Sequence, residues 1–78
     1  MPTVLIIKGY KFKFYSNEND EPAHIHVIKG DGYSKYWLVP TIEEEYSYGF
    51  TIRERRDIKN MVNLNKDSLI KFWNENFK

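Results

Sequence analysis

Residues 23–39, AHIHVIKGDGYSKYWLV, contain two runs of strand-forming residues on either side of a turn and give the clearest indication of the fold. The runs 23–29 and 33–39 are rich in β-branched and aromatic residues, which favour strands. Between them stands Asp31-Gly32, a dipeptide typical of two-residue hairpin turns. The sequence therefore predicts an antiparallel hairpin with its turn at Asp31-Gly32.

The predicted turn fixes which side chains share a face, because a strand alternates its side chains between the two faces of a sheet. One face receives the apolar pairs, Ile25 with Leu38 and Val27 with Tyr36. The other face receives the polar and aromatic side chains His24, His26, Lys35 and Trp37. We expect His24 and His26 to lie on the same face as Trp37, with both imidazoles at least partly accessible to solvent.

A second hairpin precedes the first. Residues 3–7 and 10–15 are again β-branched or aromatic, and Lys8-Gly9 between them makes a tight turn in which glycine takes a positive φ. A two-residue loop places Ile7 opposite Tyr10 and Leu5 opposite Phe12. This register gathers Leu5, Ile7, Phe12 and Phe14 on one face and leaves Lys11 and Lys13 on the other.

The C-terminal part of the chain changes to a helical pattern. Pro40 ends the fourth strand, and residues 41–46 predict a short edge strand that carries Glu43, Glu44 and Glu45. Thr51 and Glu54 have the spacing of a capping box, so a helix begins at about Ile52. Its apolar side is predicted to hold Ile52, Ile58, Met61 and Val62, and after a break near Asn65 the helical spacing continues with Leu69, Ile70, Trp73 and Phe77.

These elements predict one α+β domain over residues 1–78. It is a small antiparallel sheet of four to five strands followed by two C-terminal helices packed on one face. That face carries Leu5, Phe12, Phe14, Ile25 and Leu38.

Composition bounds the function. The chain has 78 residues, of which 41% are hydrophobic, 17% aromatic and 29% charged, so it is long enough for one folded domain and is not a disordered tail. The chain has no cysteine, which excludes disulfides, thiolate catalysis and cysteine-based zinc sites. No apolar run approaches the roughly 20 residues that span a bilayer, and a cytoplasmic location without membrane contact is expected. The formal charge of +1 indicates no particular partner.

The histidines His24 and His26 are the only two in the chain and are candidates for a metal site. Two residues apart in a strand, they point to the same side, and neutral imidazoles bind divalent zinc, iron, nickel or copper. The remaining ligands would come from Asp20, Glu21 or the run 43–45. The alternative is that both histidines are half-exposed or hydrogen-bonded residues of the sheet without a metal.

The same histidines are candidates for the proton donor and acceptor of an RNA-cleaving site, with Lys35 or Lys13 stabilising charge on the phosphate. The spacing does not diagnose such a site, because an acid and a base approach opposite sides of a phosphate. Residues 10–15 also alternate basic and aromatic side chains, and Lys11 and Lys13 are candidates for binding nucleic acid. The simpler interpretation of residues 10–15 is an amphipathic strand.

Several short motifs together resemble a family of bacterial proteins of about this length, classed as domain of unknown function 4160. They are the opening Met1-Pro2-Thr3-Val4, residues 14–18 (FYSNE), Glu21-Pro22-x-His24-x-His26-Val27, Lys35-x-Trp37-Leu38-x-Pro40, Gly49-Phe50 and Phe72-Trp73-Asn74. The resemblance implies no established activity. Such proteins are often encoded beside another small protein, in an arrangement that resembles a toxin–antitoxin pair.

The sequence therefore leads to two functional hypotheses. The first is a component of a small two-protein module that binds a partner protein encoded nearby, and RNA as a further ligand, through His24, His26, Lys35 and Trp37. The second is a small enzyme or metal protein that uses the two histidines. An exposed Trp37 is typical of a contact surface, and the molecule that buries it would be a partner chain, an RNA base or a second copy of this chain.

Overall fold

The computed structural model describes residues 3–15 and 20–77. It contains a five-stranded antiparallel sheet followed by two helices, as predicted. The strands are β1 (Thr3–Ile7), β2 (Tyr10–Lys13), β3 (His24–Lys29), β4 (Gly32–Trp37) and β5 (Glu43–Tyr48). They lie side by side in chain order, so β1 and β5 are the edges of the sheet. The helices are α1 (Ile52–Leu64) and α2 (Lys66–Asn76).

The first hairpin has the predicted register. Ile7 pairs with Tyr10 and Leu5 with Phe12 across β1 and β2. Both turn residues have positive φ angles, 51° at Lys8 and 84° at Gly9. Two successive positive φ angles are the signature of the tight turn whose twist matches that of the flanking strands.

The second hairpin turns one residue earlier than predicted. Lys29 pairs with Gly32, so the two turn residues are Gly30 and Asp31 rather than Asp31 and Gly32. Gly30 supplies the positive φ, 57°, that the first turn position needs. Gly32 belongs to the strand instead, and a Cβ at that position would collide with the ring of Phe50.

The shifted turn changes the partners but not the faces. Ile25 pairs with Tyr36 and Val27 with Ser34, instead of the predicted Leu38 and Tyr36. A register shift of two residues preserves the alternation of side chains, because the period of a strand is two. The polar residues therefore still share one face, as His24 pairs with Trp37 and His26 with Lys35.

The helical half follows the capping signal. The Thr51 hydroxyl accepts a hydrogen bond from the amide of Glu54, and the Glu54 carboxylate accepts one from the Thr51 amide. Asn65 separates the two helices, and its side-chain amide donates to the carbonyl of Met61. The prediction for Ile52 was wrong, because its side chain is 73% exposed in the first turn and does not join the core.

The core lies between one face of the sheet and the two helices. The sheet contributes Phe12, Phe14, Ile25, Val27, Tyr36 and Leu38 to it, and the helices contribute Ile58, Met61, Val62, Leu69 and Trp73. Leu5 is partly buried against this cluster, which confirms the predicted helix-packing face. Among the described residues, no helix combines the length and the apolar character that crossing a bilayer requires.

Parts of two predictions fall on residues 1–2 and 16–19, which lie outside the described residues. They are the start of the opening motif and most of residues 16–22 (SNENDEP), whose turn-forming side chains predict an exposed loop. Of that loop, the structure describes residues 20–22, where Asp20 and Pro22 are exposed as expected.

Candidate functional site

The face of the sheet opposite the helices carries three rows of side chains that run across the strands, and we call it the open face. Successive rows are two residues apart along each strand, which is roughly 7 Å. The first row is Ile6, Lys11, Ile28, Tyr33 and Tyr48. The second is Lys13, His26, Lys35 and Tyr46, and the third is His24, Trp37 and Glu43.

His24 is at the covered end of this face and is fully buried. Its ring packs against Trp37 and Trp73, with ring centroids 5.5 Å and 4.8 Å away. Its Nδ1 lies 2.9 Å from the carbonyl oxygen of Pro22, a distance at which a protonated Nδ1 donates a hydrogen bond. The expectation that this imidazole is accessible to solvent was wrong, because Trp73 of α2 covers the end of the sheet where β3 begins.

His26 is also mostly buried, at 7% exposure, so the same expectation was wrong for it. The ring of Tyr15 packs edge-on against it with centroids 4.5 Å apart, and the ring of His24 lies 5.2 Å away on a similar geometry. His26 differs from His24 in one respect that matters for binding, since it lines a cavity on the open face.

Lys35 contacts a carboxylate on one side and an aromatic ring on the other. Its Nζ donates to Oε1 of Glu21 at 2.6 Å and stands 4.5 Å from the ring centroid of Trp37. The Trp37 indole in turn donates to Oε2 of Glu45 at 2.7 Å. The predicted binding residues Lys35 and Trp37 are therefore held together as expected, but the Lys35 charge is already paired within the protein.

The two other predicted binding lysines also lie on the open face. Lys11 is exposed in the first row, and Lys13 is half-buried in the second row beside His26. The Lys13 ammonium lies 5.8 Å from the ring centroid of Tyr15. The candidate histidines of β3 and the candidate lysines of β2, which the sequence analysis treated separately, therefore lie side by side on the open face.

Aromatic side chains that the sequence analysis did not single out complete this face. The rings of Tyr33, Tyr46 and Tyr48 form a cluster with centroids 5.2 to 6.0 Å apart. Tyr33 and Tyr48 are 46% and 56% exposed. A signal for them was present, because Tyr33 alternates with Lys35 and Tyr46 alternates with Tyr48 along their strands.

A cavity of about 540 Å³ opens beside this cluster. Its walls are the side chains of Tyr15, His26, Ile28, Tyr33 and Tyr46. The turn residues Gly30 and Asp31, with Gly32, also line it. A concave space that combines aromatic walls with polar groups, here His26 and Asp31, is a usual form of a small-ligand site.

A metal site at the histidines lacks a visible third ligand. Glu21 is the nearest carboxylate, with Oε1 3.9 Å from Nδ1 of His24, but that oxygen already accepts the Lys35 hydrogen bond. Nowhere in residues 3–15 and 20–77 do three or more His, Asp or Glu side chains form a group able to hold a metal ion. The predicted metal set of His24, His26 and Glu21 remains a hypothesis that the described geometry does not complete.

A separate polar cluster lies on the helix side and serves to hold α1 on β5. The Arg55 guanidinium binds both carboxylate oxygens of Glu44, with Nε 3.0 Å from Oε1, and the Tyr36 hydroxyl donates to the same carboxylate at 3.2 Å. The hydrogen bond from Arg55 lowers the pKa of Glu44, while burial and the Glu44 charge raise the pKa of Tyr36. These groups satisfy one another and leave the open face as the candidate site.

Comparison with known proteins supports the resemblance. The family described as Domain of unknown function (DUF4160) matches residues 9–74. The chain belongs to the DUF4160 family. The match begins in the turn before β2 and ends in α2, so it includes every open-face residue of β2 to β5 in this DUF4160 protein. No curated protein and no solved structure matches the chain.

Proposed function

We propose that this DUF4160 protein is the RNA-contacting component of a small two-protein module, and that single-stranded RNA binds on the open face of its sheet. The observation that carries the proposal is the sharing of one face by Lys11, Lys13 and the tyrosine cluster. Lysines neutralise phosphates, and aromatic rings stack with bases that are not paired in a duplex. Tyr33 and Tyr48 are exposed enough to receive such bases.

The charge distribution supports a preferred side for the RNA backbone. Lys11 and Lys13 lie on β2 near one edge of the sheet, whereas Glu43 and Glu45 lie on β5 at the other. The tyrosine cluster stands on β4 and β5. A strand of RNA that runs parallel to β2 would place its phosphates over Lys11 and Lys13 and its bases toward the tyrosines.

The choice of RNA over DNA rests on what the family resemblance implies, a toxin–antitoxin-like pairing of two small proteins. The alternative of an RNA-cleaving or metal enzyme is less well supported. An acid–base pair would need both imidazoles at the phosphate, and His24 has no exposed surface.

The partner protein is proposed to bind along β1. An edge strand presents backbone groups that another strand can pair with, and natural edges are often protected by charges. The β5 edge carries Glu43 and Glu45, whereas β1 exposes the apolar side chain of Ile6 at 62%. We expect Ile6→Lys to abolish co-purification with the neighbouring gene product without weakening RNA binding, because the added positive charge lies beside Lys11 on the open face. Undiminished co-purification would place the partner elsewhere.

Fluorescence anisotropy with a labelled ten-nucleotide single-stranded RNA of mixed sequence tests RNA binding. The double variant Lys11→Ala/Lys13→Ala should bind at least tenfold more weakly. It should also reduce the slope of log affinity against log salt by about 1.4, since each phosphate contact on a single strand contributes about 0.7. The matched control is Lys59→Ala/Lys71→Ala, which removes the same charge from exposed helix positions.

The control variant should bind as the unchanged protein does. An equal loss of RNA affinity in both double variants would show that only the overall charge matters. Unchanged affinity of Lys11→Ala/Lys13→Ala would exclude the open face as the RNA site. The same ten-nucleotide sequence as DNA and as a duplex RNA tests the strand and sugar preference, and we expect both to bind more weakly than the single-stranded RNA.

A further inference from the structure

The cavity on the open face has the size and lining of a small-ligand site, and a base of the bound RNA can enter it. Its volume of about 540 Å³ lies within the range of roughly 300–1,000 Å³ that is typical of small-molecule sites. Tyr15, Tyr33 and Tyr46 give it aromatic walls, and Ile28 gives it an apolar surface. Gly30 brings backbone without a side chain to the rim of the cavity.

Among the described residues that line the cavity, Asp31 is the one with an acidic side chain. It is exposed at the tip of the β3–β4 turn. An ionised carboxylate only accepts hydrogen bonds, so the cavity rim selects a ligand that presents donors.

We infer that the cavity holds one unstacked guanine of the bound RNA, and that the Asp31 carboxylate reads its Watson–Crick edge. This inference rests on the proposed function. Guanine has two adjacent donors on that edge, N1–H and the N2 amino group, which a carboxylate accepts together. Adenine and cytosine each place a ring-nitrogen acceptor beside their amino group, and uracil flanks its N3–H with two carbonyl oxygens, so each repels one carboxylate oxygen.

Lys13 provides the phosphate contact for the same nucleotide. It pairs with His26 across β2 and β3, so its backbone is about 5 Å from that of a residue that lines the cavity. A base in the cavity therefore has its own phosphate within reach of the Lys13 ammonium. This placement links the base site to the lysines of the open face.

The test uses four eight-nucleotide RNAs, each a run of uridines with G, A, C or U at one central position, and a fifth with inosine there. We expect the G-containing RNA to bind at least tenfold more tightly than the other three. Inosine lacks the N2 amino group and keeps N1–H, so its affinity should fall between those of G and A. Asp31→Asn should bring the G and A affinities within twofold of each other.

The Asp31→Asn variant should leave binding of the all-uridine RNA unchanged or tighter, because it removes a negative charge beside the phosphates. Asp57→Asn, an exposed aspartate on α1, is the matched control and should retain the preference for G. The melting temperatures of Asp57→Asn and Asp31→Asn are compared with that of the unchanged protein to confirm that both variants fold.

Two results would overturn the inference and leave the proposed function intact. In the first, all four RNAs bind with equal affinity and binding still depends on Lys11 and Lys13. In the second, the Asp31→Asn variant keeps the preference for G. Loss of any dependence on Lys11 and Lys13 would instead contradict the proposed function itself.

Discussion

Replacing His24 by alanine should destabilise the protein strongly, although His24 stands in the most chemically suggestive motif of the sequence. Its ring is fully buried between Trp37 and Trp73. Removing a large buried side chain costs about 2–5 kcal/mol because a cavity remains. Small domains have only about 0.05–0.15 kcal/mol of stability per residue, so this loss is a large share of the total.

The assay is urea unfolding followed by tryptophan fluorescence, together with a thermal melt. For a domain of this size, each kcal/mol shifts the melting temperature by about 4–8 °C, so His24→Ala should melt at least about 8 °C lower. His24→Phe is the matched variant, because it retains a flat ring against both tryptophans and removes the polar contacts of the imidazole, among them the hydrogen bond to Pro22. It should lose clearly less stability than His24→Ala.

Two outcomes would refute this reasoning. If His24→Ala melted within about 3 °C of the parent, less than the shift expected for 1 kcal/mol, the ring would not be part of the core. If His24→Phe were folded but bound no RNA, the imidazole itself would contact the ligand and the open-face proposal would need His24 at its centre. We expect the folded His24→Phe protein to bind RNA normally.

Three further perturbations test the fold. Thr51→Ala removes the side-chain half of the capping box with Glu54 and should lower the free energy of unfolding by about 1 kcal/mol in urea titrations. Trp73→Ala should cost about 3–5 kcal/mol in the same assay, and a small effect would show that α2 is an appendage. Hydrogen bonds from Arg55 lower the pKa of Glu44 in the folded protein. The stabilisation from this ion pair is therefore fully present above the usual Glu pKa of about 4.3, and it is lost as the pH falls below that value and Glu44 becomes protonated. Glu44→Gln should therefore flatten the decline of melting temperature below about pH 5, and an unchanged profile would contradict the assignment.

The two hairpins show what local sequence can predict. Lys8-Gly9 was placed correctly because a single glycine stands between the first two strand-forming runs. The second turn offered two glycines, and local sequence favoured the Asp31-Gly32 pair. In the structure Gly32 lies within β4, where the ring of Phe50 occupies the space that a side chain would need. A contact from a distant part of the chain cannot be read from the turn itself.

The burial of the histidines could not be predicted for the same reason. Strand alternation placed His24 and His26 on the correct face, but Trp73 from the last helix and Tyr15 from the end of β2 cover them. The tyrosines of the open face were within reach of prediction, because alternation alone puts Tyr33 on the face of Lys35. Their clustering with Tyr46 and Tyr48 depends on the pairing of β4 with β5, whose register shifts between Lys35 and Tyr36.

The distribution of aromatic residues argues that the open face is kept for binding. Phe12, Phe14 and Trp73 on the helix side are buried, so their aromatic character is explained by packing. Tyr33 and Tyr48 are about half exposed and contribute correspondingly less to the core. Threonine or lysine would suit an exposed strand position equally well, and a cluster of exposed rings is a marker of a contact surface. Apart from the buried end of the open face at His24, stability and binding are thus assigned to opposite faces of one sheet. Substitutions at Tyr33 and Tyr48 should weaken RNA binding with little change in melting temperature.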